Sequence, residues 1–130
     1  MHEARFPFAF QRGVRRLLGL AGVTEDTAEV VLTDDEFIGR FGRFTARTPL
    51  ANITEVRITG PYRWWKAIGP RGSLADRGAT FGTNARAGVC LCFATPITAL
   101  AGRRMLHPGL TVTVADPDAL AASLRRRSVG

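Results

Sequence analysis

At 130 residues the chain has the length of one domain and little room for two. Its hydrophobic share of 45% excludes a long disordered chain, and its net charge of +7 predicts attraction to polyanions at low salt. A chain of this size buries roughly two-thirds of its unfolded surface, so folding requires neither disulfides nor a structural metal.

Phe6, Phe8 and Phe10 alternate with Pro7, Ala9 and Gln11. This period of two predicts a first strand, and Pro7, with no N–H to donate, places it at an edge. Val14, Leu17, Leu18 and Val23 among Arg12, Arg15 and Arg16 predict a short amphipathic helix over 12–20, loosened at its end by Gly19 and Gly22. Ala28 to Thr33 reads as a strand, and Asp34-Asp35 as a turn. One long strand is expected from Glu36 to about Arg47, with a bulge or bend near Gly39 or Gly42. Pro49 to Ile53 is a connector, and Glu55 to Thr59 another strand.

Gly60 to Gly72 is irregular. Ser73-Leu74-Ala75 is expected as a short strand, Asp76-Arg77-Gly78 as its turn and Ala79 to Thr83 as the return. Gly88 to Ala94 is a further strand, and a loop through Pro96, Gly102 and Pro108 leads to a last strand, Leu110 to Val114. Asp116-Pro117-Asp118 then places an N-cap, a proline at the first helical position and a second acid in the first turn. The helix continues through Arg126, with Leu120 and Leu124 on one face and Arg125, Arg126 and Arg127 complementing its negative end. Seven or eight short strands and one terminal helix predict a β-sandwich or barrel closed by that helix.

Three segments resemble an actinobacterial protein family. They are Gly60-Pro61-Tyr62-Arg63-Trp64-Trp65-Lys66-Ala67-Ile68-Gly69-Pro70-Arg71, Ser73 to Gly78, and His107-Pro108-Gly109-Leu110-Thr111-Val112-Thr113-Val114. The strand-then-helix order is similar to pleckstrin-homology-like domains. That resemblance implies a mainly β fold: a bent, partly open barrel of about seven strands capped by its C-terminal helix, with no enzyme activity. The basic first-hairpin loop that serves lipid headgroups in that superfamily is not matched, because the loop here is Asp34-Asp35.

The basic residues are 17 Arg and one Lys, Lys66. Guanidinium groups suit bidentate recognition of phosphate or carboxylate; the same bias arises from a GC-rich genome. Cys90 and Cys92 share one strand face, where a bond between them is awkward, so a reducing compartment is expected. The N-terminus has no signal-peptide pattern, and no apolar run approaches the roughly 20 residues of a membrane span. A cytoplasmic location is the expectation.

The candidate partner-binding residues are Tyr62, Arg63, Trp64, Trp65, Lys66 and Arg71. Adjacent tryptophans on an extended chain face opposite ways. An exposed indole beside cations can anchor a protein, stack on a base or cover a lipid headgroup; both rings can instead fill the barrel mouth. Cys90 and Cys92 can supply half of a tetrahedral metal site, but with no second cysteine pair and only His2 and His107 remaining, structural thiols are the expectation. His107 is expected in a loop without an attendant nucleophile and acid, and Asp34, Asp35 and Glu36 as a solvated tip. Neither cofactor nor metal is expected. The expected function is a non-catalytic binding or scaffold domain with a protein partner, a second copy of the chain included. The alternative is electrostatic binding to anionic lipid or nucleic acid, followed by a small-molecule pocket or enzyme.

Overall fold

Alternating apolar residues build the strands. The computed structural model describes residues 3–10, 13–20, 22–60, 69–72, 78–84, 86–99 and 106–129. The first sheet has the order β1 (Ala4–Pro7), β2 (Ala28–Leu32), β3 (Glu36–Phe41), β4 (Phe44–Pro49), all antiparallel. A helix, α1 (Val14–Leu20), lies between β1 and β2 in the chain. Val30, Leu32, Phe37, Phe41 and Ala46 are buried, while Arg40 and Arg47 alternate with them and are exposed.

The long strand expected over 36–47 is two strands. Phe41 and Phe44 close a tight hairpin around Gly42 and Arg43. Gly42 has φ 61°, and a Cβ there would lie 3.0 Å from the Gly22 carbonyl oxygen and from Val23 Cγ2. Conformation and close approach both require glycine, so the change in alternation marks a turn rather than a bend. The first strand is likewise shorter than expected, with Phe8 in an isolated bridge beyond it.

A 3-10 turn (Leu50–Asn52) leads into the second sheet. Its strands are β5 (Ile53–Thr59), β6 (Gly69–Gly72), β7 (Ala79–Gly82), β8 (Gly88–Ile97) and β9 (His107–Val112), in the spatial order β5-β8-β9-β7-β6. The β7–β9 pair is parallel and the other pairs are antiparallel. The expected hairpin of Ser73–Ala75 with Ala79–Thr83 is replaced by pairing of β7 with Gly69–Gly72; residues 73–77 lie outside the described residues. Pro96 and Pro108, expected in a loop, belong to β8 and β9, whose register shifts between Cys92 and Ile97.

The two sheets face each other without closing into a barrel. At one corner Asn52 replaces strand pairing: its Nδ2 donates to the Thr95 carbonyl at 2.9 Å, and its Oδ1 accepts from the Thr95 N–H at 2.8 Å. At the other, the chain beyond β1 crosses to the second sheet. Ala9 N–H donates to the Thr113 carbonyl at 3.1 Å and Ala115 N–H to that of Pro7 at 2.8 Å. Between the sheets, Phe8 lies 5.3 Å from Phe41, which stacks on Phe81 at 5.0 Å. These rings come from the N-terminal segment, the first sheet and the second sheet.

The C-terminal helix α2 (Pro117–Val129) packs on β5, β8 and the 3-10 turn, with Leu120 and Leu124 fully buried. Its start is the one expected: Asp116 Oδ1 accepts from the Ala119 N–H at 3.0 Å. Asp116→Ala should therefore cost about 1 kcal/mol in urea denaturation. The terminal arginines also tie the helix to both sheets. Arg125 donates to the Val56 carbonyl at 3.0 Å, and Arg127 to the Thr33 carbonyl at 2.8 Å.

Candidate binding surface

Tyr62, Arg63, Trp64, Trp65 and Lys66 lie outside the described residues. The structure fixes the two ends of their segment. It leaves β5 at Gly60, which has φ 124° and sits against the backbone of Arg86 and Ala87; a Cβ would come within 2.8 Å of Ala87 Cα. It returns at β6, where the Arg71 backbone is in register with Thr80. β6 is the last strand of its sheet, and among the described residues no strand pairs with its outer side. Pro70 fits such an edge because it has no N–H to donate.

A buried polar clamp that no local sequence signal reveals holds the loop against Gly60. Asn84 is buried; its Nδ2 donates to the Ala9 carbonyl at 2.8 Å and to the Thr113 carbonyl at 3.3 Å. Its Oδ1 accepts from the Arg86 N–H at 2.9 Å and the Ala87 N–H at 3.3 Å. Buried Thr83 donates its hydroxyl to the Ala9 carbonyl at 2.6 Å, and its own N–H donates to Thr113 Oγ1 at 2.7 Å. The loop beside the start of the candidate segment is thereby locked to the N-terminal segment, and it carries exposed Arg86.

Cys90 and Cys92 are free and half-buried on the outer face of β8, as their spacing predicts. Arg57 on β5 stands opposite Cys90, and Glu55 opposite Cys92. Burial pushes the Cys92 thiol up; Cys90 and Glu55 act in the same direction, against a hydrogen bond from Arg57. The protonated thiol is a poor nucleophile. His107 is not in a loop: it opens β9 opposite Ile97 and is 1% exposed. Among the described residues no three of His, Cys, Asp and Glu gather to hold a metal ion, and no helix is long and apolar enough to cross a membrane.

Asp34 and Asp35 are exposed at the β2–β3 turn, and Glu36 opens β3. Glu36 takes a bidentate grip from Arg47, at 2.7 and 2.8 Å, and this hydrogen bonding holds its carboxyl below the ordinary 4.5. A depressed folded-state value means that the contribution is present above the unfolded value and is lost as pH falls through the folded one. Glu36→Gln should lower stability slightly at neutral pH, and its difference from wild type should vanish as pH falls below about 4.5, which flattens the acid limb.

On α1 the structure separates Leu17 from the residues grouped with it and adds Leu20. Val14 and Leu18 are buried, but Leu17 is 61% and Leu20 is 89% exposed. Comparison with family models, curated proteins and solved structures finds no match to this chain.

Proposed function

We propose that this chain is a non-catalytic binding or scaffold domain that takes a protein partner at the β6 end of its second sheet. The observation that carries this reading is the entry of the aromatic–basic segment directly into an edge strand. An edge offers backbone groups to an added strand. Pro70 removes one donor, so affinity falls on Tyr62, Trp64 and Trp65, with Arg63, Lys66 and Arg71 supplying charge. The burial of His107 and the raised Cys92 thiol support a non-catalytic role. The two sheets with a C-terminal helix packed on the second of them support the likeness to pleckstrin-homology-like domains, although the parallel β7–β9 pair and nine described strands depart from a seven-stranded barrel.

Affinity capture with wild type, Trp65→Ala and Arg63→Ala tests the proposal. Recovery of a protein partner, or of a second copy of the chain, should fall with either variant. Equal recovery with both would remove the segment from consideration.

A further inference from the structure

Helix α1 carries two exposed leucines and leads into Gly22 and Val23, which pack against the tip of the β3–β4 hairpin. Gly42 N–H donates to the Thr27 carbonyl at 3.0 Å, and Gly42 packs against Gly22 and Val23, just beyond the helix. Arg43 is exposed at this tip, its guanidinium 5.6 Å from the centroid of half-buried Phe44. On the helix, Leu17 and Leu20 stand one turn apart, off the buried Val14–Leu18 stripe, with exposed Arg16 flanking them. Arg15 is occupied by Glu25 at 2.8 Å, and the one other acid of this turn is Asp26. The two uncovered leucines thus lie on the helix that leads into Gly22 and Val23, and Arg43 lies on the hairpin tip that packs against those two residues.

We infer that this end of the molecule docks on an anionic bilayer surface, with Leu17 and Leu20 entering the headgroup–acyl boundary and Arg16 and Arg43 meeting lipid phosphates. Leucine side chains gain from an acyl boundary and gain nothing from a sugar–phosphate backbone, which favours lipid over nucleic acid. A twofold contact centred on the leucines would bring the Arg16 and Arg43 charges of both copies into one interface, which disfavours self-association here. The net charge of +7 adds long-range attraction to an anionic leaflet. With two apolar anchors the attachment is weak and reversible. This inference is independent of the partner surface at β6.

Co-sedimentation with phosphatidylcholine vesicles, with and without phosphatidylserine, tests it on the full chain. Wild type should pellet with the phosphatidylserine vesicles and not with phosphatidylcholine alone. Leu20→Glu should weaken that binding about tenfold or more, as should Arg43→Glu. Circular dichroism should show both variants folded, because both side chains are exposed. Failure of wild type to bind either vesicle would overturn the inference, as would full binding by Leu20→Glu. A wild-type dimer abolished by Leu20→Glu, or RNA that displaces the vesicles and still binds Leu20→Glu, would overturn it too.

Discussion

Phe41→Ala should remove about 4 kcal/mol of folding stability and lower the melting temperature by roughly 15 °C. Phe41 is fully buried, lies 5.3 Å from Phe8 and stacks on Phe81 at 5.0 Å. Its ring joins the N-terminal segment, the first sheet and the second, so neither sheet can collapse into the vacated space without losing a second ring contact. A domain of this size has about 5–15 kcal/mol in total, so the loss is a large fraction. Phe41→Leu should recover more than half of it by refilling volume without the stack. Calorimetry and urea denaturation measure both. A loss below about 1 kcal/mol for alanine would show that the three rings do not carry the junction.

Asn84→Ala should cost about 3 kcal/mol, an unusual amount for a polar residue in a loop. The side chain satisfies two carbonyls, those of Ala9 and Thr113, and two amides, those of Arg86 and Ala87. Alanine removes these bonds on three segments and leaves the Ala9 and Thr113 carbonyls with only the Thr83 hydroxyl and the Ala9 N–H as donors among the described residues. Asn84→Asp should not rescue: its carboxylate can accept from the two amides but meets two carbonyl oxygens on the other side. Thr83→Val should cost less, because Asn84 still donates to the Ala9 carbonyl. Hydrogen exchange adds a local signature. Protection at the Ala9 amide should drop in the alanine variant more than protection in β2 or β3. Uniform loss across the domain would contradict a clamp specific to this corner.

Local chemistry explains which features the sequence carried. Asp116-Pro117 and the Leu120–Leu124 spacing mark a helix whose cap and buried stripe lie within a few residues of one another, and the structure bears both out. The alternation of Phe6, Phe8 and Phe10 likewise marks one core-facing side of the N-terminal segment, where Phe8 is buried and the other two are partly so. The break at Gly42 was legible as a disturbance of period but not as a hairpin, because the demand for glycine comes from Gly22 and Val23 across a gap in sequence. Parallel pairing of β7 with β9 leaves no local period at all. Asn84 reads as an ordinary loop residue until the carbonyls of Ala9 and Thr113 arrive from distant parts of the chain. His107 reads as a loop histidine beside a proline because burial of a polar side chain is set by tertiary neighbours. On the candidate surface, the sequence identified an aromatic–basic segment; the structure adds its anchoring at Gly60 and its entry into an edge strand.

The most direct measurement of the central claim is amide hydrogen exchange on the chain alone and on the chain loaded with its captured partner. New protection should concentrate in the segment from Tyr62 through β6 and decline across β7. Protection confined to β5, α2 or the first sheet, with exchange between Tyr62 and Gly72 unchanged, would contradict the assignment of the partner surface to the β6 edge.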